Sequence, residues 1–149
     1  MMMMKIVAVF AMGAAVGVMY RIPRSLLVYG AFNATLGWLV AGLLTAAGTN
    51  AVAAVFFGSV ALGAAAEALA RRLRKPATIF IIPGFIPLVP GREAYTTMRY
   101  LVEGRYGPAV EMATLTLLTA GAIAFGIFVS VTLYRLALNN VVRKGTDQC

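Results

Sequence analysis

Histidine is absent from this chain, and its one cysteine is Cys149. Imidazole ligation of haem, His-based or thiolate zinc sites and intrachain disulfides are therefore excluded. Aspartate is as scarce: the only one, Asp147, lies in a polar tail beyond the last apolar run, so paired-aspartate magnesium or phosphoryl-transfer chemistry has no candidate in the apolar part. Charged residues make up only 12% of the 149 positions. With the usual general bases and metal ligands missing, the sequence speaks against an enzyme and implies no cofactor.

What the chain has is apolar length. It is 61% hydrophobic, with a mean hydropathy of +0.86, which excludes an ordinary soluble domain. A bilayer-spanning helix needs about 20 apolar residues, so this length holds about five spans and leaves no room for a soluble domain. The expected fold is all-α: a polytopic membrane protein forming a single integral membrane domain over 1–149, with its fourth span broken. The net charge of +8 comes from 13 Lys and Arg against 5 acids. In a soluble chain that balance would suggest nucleic acid; here the charges separate apolar runs and read as topology signals, so the partner is the lipid bilayer and not nucleic acid.

The spans are expected at about 3–20, 25–47, 51–70, 76–90 and 109–138. The first has Lys5 near its start, like a signal-peptide n-region, but no clear small-residue cleavage site follows, and it is read as a retained helix. Its Gly13 and Gly17 form a GxxxG face suited to close helix approach. Basic residues gather at Arg21 and Arg24 and again in the RRLRK cluster, Arg71 to Lys75, while the turn Gly48-Thr49-Asn50 carries no charge. Basic loops are cytoplasmic, so both clusters face the cytoplasm and the N-terminus lies outside. If the fourth segment crosses, which is the preferred reading, Arg135, Arg143 and Lys144 are cytoplasmic while Arg92, Arg99 and Arg105 lie outside with Glu93 and Glu103. If it re-enters, these assignments reverse. Tyr95, Met98, Leu101 and Val102 recur at helical spacing within 92–107, which suggests an interfacial amphipathic helix. Gly107-Pro108 then opens the last helix, with Glu111 in its first turn.

The fourth segment, IFIIPGFIPLVPG from Ile79 to Gly91, is apolar yet holds Pro83, Pro87 and Pro90 with Gly84 and Gly91. Each proline removes a backbone donor and clashes with the preceding turn, so a break between two half-helices is expected at Pro83-Gly84. Membranes tolerate such breaks inside protein or along a cavity, where freed carbonyls and helix ends meet a solute. A kinked packing helix is the competing reading. Polar groups elsewhere in the spans are few. Asn33 is the strongest candidate for contact with a solute. Thr35, Ser59, Thr114, Thr116, Thr119, Ser130 and Thr132 are expected to bond their own helix carbonyls. Glu67 is a candidate protonatable coupling group, or an ordinary pair with Arg71 four residues on. Glu111 is a second coupling candidate.

From Arg71 to Gly104 the sequence RRLRKPATIFIIPGFIPLVPGREAYTTMRYLVEG resembles the second membrane half of the threonine/serine exporter (ThrE-type) family. The core of the resemblance is PGFIPLVPG followed by a tyrosine, with the basic cluster and Pro76 before it and three spans upstream. Gly84, Pro87, Pro90, Gly91 and Tyr95 match the family pattern. The resemblance implies a stand-alone small subunit of a two-component secondary exporter, in which a larger partner supplies the other membrane half and a soluble domain. It implies threonine, serine or succinate as solute and the cytoplasmic membrane of a prokaryote as location. Combined with the residues, it makes Pro83, Gly84, Pro87, Pro90, Gly91, Tyr95 and Asn33 the expected solute contacts. Two further classes stay open: a homo-oligomeric channel or small transporter that needs no second gene product, and a scaffold subunit with no solute flux.

Overall fold

The computed structural model describes residues 2–146, with side chains to Leu136. Asp147 and Cys149 lie outside the described residues, as do the side chains of Arg143 and Lys144. Every element among the described residues is helical: α1 (Met2–Met19), α2 (Arg24–Ala46), α3 (Ala51–Leu73), α4 (Thr78–Phe85), a 3-10 turn (Ile86–Leu88), α5 (Gly91–Val102) and α6 (Tyr106–Thr146). Four helices, α1, α2, α3 and α6, are long and apolar enough to cross a membrane. The apolar stretch Thr78–Leu88 is shorter; its 11 residues reach about 16 Å at 1.5 Å per residue, half a hydrocarbon core.

Between lipid-exposed helices there is no hydrophobic driving force, so association depends on close backbone approach at small residues. Each long-helix interface here is built that way. A Cβ on Gly13 of α1 would lie 2.9 Å from Ala34 Cβ on α2, and a Cβ on Gly58 of α3 would lie 2.7 Å from the Gly37 carbonyl of α2. Gly63 of α3 faces the Ser130 hydroxyl of α6, and Gly126 of α6 lies under the Phe56 carbonyl of α3. Large apolar side chains point outward instead, among them Phe32, Phe57, Leu117, Phe125 and Phe128.

Chain direction follows from which residues meet. Leu26 of α2, Ala66 and Ala70 of α3 and Phe80 of α4 form one cluster, joined by Ile22 and Leu73. The loops that carry Arg21, Arg24 and Arg71 to Lys75 thus share one end of the bundle. Arg135 of α6 reaches Glu67 of α3 at that same end. At the other end Val89 and Pro90 meet Ala51 and Val55 of α3 and Leu115 and Thr119 of α6. So α6 runs parallel to α3, and the segment after Lys75 carries the chain from the basic end to the opposite one before α6 returns. α5 packs on α6, and Tyr106 lies nine residues before Leu115, so this hairpin extends about 14 Å past the start of α3.

Two expectations are corrected. The helix does not break at Pro83-Gly84: Pro83 sits inside α4, and regular helix ends at Phe85. One proline forfeits one hydrogen bond, which bends a helix without ending it, whereas Pro87 and Pro90 together remove two of the four donors from 87 to 90, and Val89 N–H turns to the Ile86 carbonyl. The chain there tightens to the 3-10 turn, extends at Val89 (φ −61, ψ 132) and reverses in an inverse γ-turn at Pro90 (φ −75, ψ 58), closed by Gly91 N–H donating to the Val89 carbonyl at 2.8 Å. In addition, α6 begins at Tyr106, so Glu111 falls in its second turn.

Candidate functional site

α4 and the 3-10 turn pack on α2, α3 and α1, while α6 packs on α3 and α5. Between α4 and α6 this leaves a groove. Its basic half is a cleft of about 750 Å³ walled by Pro76, Thr78 and Ile81 on one side and Phe128, Val131 and Arg135 on the other. Its other half, about 270 Å³, continues past Ile81 and Ile127 to Phe85 and Pro90. The walls are apolar except at the basic end, where Thr78, Thr132 and Arg135 stand.

Behind α4, on the side away from the groove, lies the buried amide. Asn33 has no solvent exposure. Its Nδ2 donates to the Phe80 carbonyl at 3.1 Å, and its Oδ1 has no hydrogen-bond partner among the described residues. Gly84 sits against it: a Cβ there would lie 3.0 Å from Asn33 Nδ2 and 2.9 Å from Leu62 Cδ1. The ring of Pro83 packs on Gly30 of α2, where a Cβ would come within 3.0 Å of Cγ. Asn33, Pro83 and Gly84 are thus one locus, in which glycine on both helices admits the proline ring and the amide ties α2 to the backbone of α4. A buried oxygen without a donor is uncommon, since burying an unpaired polar group costs about 1–3 kcal/mol.

The other residues of the motif stand apart from this locus. Pro87 is half-buried and Pro90 buried at the far end of the segment, while Gly91 and Tyr95 are exposed beyond it. A Cβ at Gly91 would meet nothing within 4 Å. Thr35, Ser59, Thr114, Thr116, Thr119 and Ser130 donate to carbonyls one turn back in their own helices. Among the described residues, Asn33 is therefore the uncharged polar side chain of the spans that bonds another element.

The two carboxylates are also separated. Glu111 is exposed near the start of α6. Glu67 is 4% exposed near the end of α3, with Arg135 Nε and Nη2 both 3.0 Å from its Oε1 and Arg71 Nε 3.9 Å from its Oε2. The Arg71 pairing expected from spacing is the looser contact. Arg135, read from sequence as a topology charge alone, is the principal partner; a lone cation inside the apolar run of 109–138 was the signal for it. Glu67, Arg71, Arg74, Lys75 and Arg135 line a cleft of about 450 Å³ that opens into the groove at Pro76 and Ala77.

At the opposite end Arg99 Nε donates to Glu103 Oε1 at 2.7 Å, and Arg105 lies 4.7 Å over the Tyr100 ring. The Arg99 hydrogen bond holds the Glu103 carboxyl below its ordinary value and raises Arg99 in turn. This is a surface pair at the end of α5, just before the turn at Gly104 (φ +71).

A family profile described as Threonine/Serine exporter, ThrE, matches residues 5–133. No curated protein and no solved structure matches the chain.

Proposed function

From the premise that the chain belongs to the threonine/serine exporter family, we propose that it is one membrane half of a secondary exporter for small polar solutes, working with a larger partner subunit. The observation that carries this reading is the groove between α4 and α6. It runs along the proline-rich segment from the basic end to Pro90, and α4 packs chiefly on α1, α2 and α3, with Ile81, Phe85 and Leu88 touching the cluster that holds Ile123 and Ile127 of α6. Interrupted helices in transporters come in matched pairs that meet at the solute. A partner half with its own interrupted helix would close the groove into a path.

In this reading the solute passes along the face of α4, whose backbone is held by Asn33, Pro83 and Gly84, and leaves past Pro87, Pro90, Gly91 and Tyr95. The basic end faces the cytoplasm by the positive-inside rule, in the cytoplasmic membrane of a prokaryote. Glu67, at the groove mouth, is the better placed of the two carboxylates to couple transport to an ion.

The test is efflux of labelled threonine, serine and succinate from cells expressing this chain, the larger partner, or both. Export with both and with neither alone supports the two-component reading and names the solute. Export by this chain alone means identical copies form the path. No flux from a verified complex overturns the exporter reading for these solutes.

A further inference from the structure

The Glu67–Arg135 pair is asymmetric in a way that a simple clamp between α3 and α6 does not need. The Glu67 side chain is 5% exposed, whereas that of Arg135 is 64% exposed. Two guanidinium nitrogens, Nε and Nη2, are committed to one carboxylate oxygen. Guanidinium has five N–H donors, so three are left over among the described residues, on a side chain that lines the clefts on either side. Among the described residues Glu67 Oε2 has Arg71 alone, at 3.9 Å, beyond the usual length of a charged hydrogen bond. Among the described residues both charges therefore keep unused hydrogen-bonding capacity, and both line the same cleft.

We propose that Glu67 and Arg135 form a zwitterion-binding site at the mouth of the groove, with the carboxylate of an α-amino acid on Arg135 and its ammonium group on Glu67. The proposal rests on the exporter reading and adds to it the residues that select the solute. An α-amino acid carries opposite charges on adjacent substituents of one carbon, so a cation and an anion held side by side are complementary to both. When the site is empty the two side chains satisfy each other, and no bare charge is left at the membrane edge. When a zwitterion inserts, every charge is again paired and the net charge of the site does not change. A dicarboxylate offers Glu67 a second anion, and that like-charge contact discriminates against it. Arg71, Arg74 and Lys75 line the cleft and raise the local concentration of carboxylates without fixing orientation. Thr78 and Thr132 stand beside Arg135 on the groove side, where a hydroxylated side chain would lie.

The experiment is equilibrium binding of labelled threonine to the full chain, purified in detergent with any partner that co-purifies. The competitors are 3-hydroxybutyrate, which lacks the ammonium group, 1-amino-2-propanol, which lacks the carboxylate, and succinate. Glu67→Gln is the diagnostic variant, because an amide keeps the hydrogen bond to Arg135 and leaves only the largely exposed guanidinium without its counter-charge. It should weaken threonine by about tenfold or more, the worth of one charge-assisted hydrogen bond, while 3-hydroxybutyrate binds as before. Arg135→Lys, which keeps a cation beside the buried carboxylate, should weaken 3-hydroxybutyrate and threonine together and spare 1-amino-2-propanol. Equal weakening of all ligands by Glu67→Gln, no change in threonine affinity, or no threonine binding by the unaltered protein overturns the proposal. If threonine binds in this pattern while cells export no amino acid, the exporter reading fails and the binding site stands.

Discussion

At the scale of single residues, Asn33 and the hydroxyls of the spans look alike in sequence and differ in what they hold together. Asn33 is the link from α2 to the Phe80 carbonyl, whereas Thr119 returns its proton to Leu115 of its own helix. Asn33→Ala should therefore lower stability by about 1–3 kcal/mol, because it removes a hydrogen bond between two helices and leaves a cavity at a fully buried position. Thr119→Val should change it by less than about 0.5 kcal/mol, because the Leu115 carbonyl keeps its backbone partner. Melting of the detergent-purified variants measures both, and equal effects would show that the Asn33 bond adds nothing. As an amide in an apolar run, Asn33 was legible from sequence, but its partner 47 positions away was not. The same holds for Glu67. Helical spacing offered Arg71, since i,i+4 neighbours can be counted along the chain, while Arg135 lies 68 positions on and enters only through the packing of α3 against α6.

At the scale of elements, the proline-rich segment is packed as far as Leu88 and Pro90 and becomes open at Gly91. Its first half is locked between α2 and α3 by contacts at Gly30, Asn33 and Leu62, while Gly91 has open space around its Cα. Gly84→Ala should cost about 1–3 kcal/mol, because the new methyl must displace Leu62 and the Asn33 amide from a packed interface. Gly91→Ala, in the same motif, should stay within about 0.5 kcal/mol. Denaturation of the two purified variants separates them; a neutral Gly84→Ala would mean that α4 is not seated as described. The sequence marked this segment as irregular because prolines forbid a regular helix, and an all-helical membrane fold was legible from apolar length. Where the irregularity falls was not legible. Local rules put the break at Pro83-Gly84, but Gly30 accepts the proline ring, so helical geometry survives until Pro87 and Pro90 act together.

At the scale of the whole molecule, charge separates the two ends. Arg21, Arg24, Arg71 to Lys75 and Arg135 gather where α2 begins and α3 finishes, and the α5–α6 hairpin with Arg92, Arg99 and Arg105 extends from the opposite end. The route of the fourth segment turns on Arg92, Arg99 and Arg105 against Arg135, Arg143 and Lys144, three basic residues on each side, which is why charge alone left it open. With α3 and α6 parallel, the segment runs from one end of the bundle to the other, since α6 can reach Glu67 with Arg135 only if the chain has first travelled to the far end. This arrangement predicts opposite labelling of two exposed positions. With Cys149→Ser as background, Val102→Cys on α5 should react with a membrane-impermeant maleimide in intact cells, and Lys75→Cys should react only after the membrane is opened. Labelling of both positions from one side would rule out a trans-bilayer course for residues 76–105. The reverse pattern would keep that course and turn the molecule over, moving the Glu67–Arg135 mouth from the face where an exporter collects its solute to the face where it releases it.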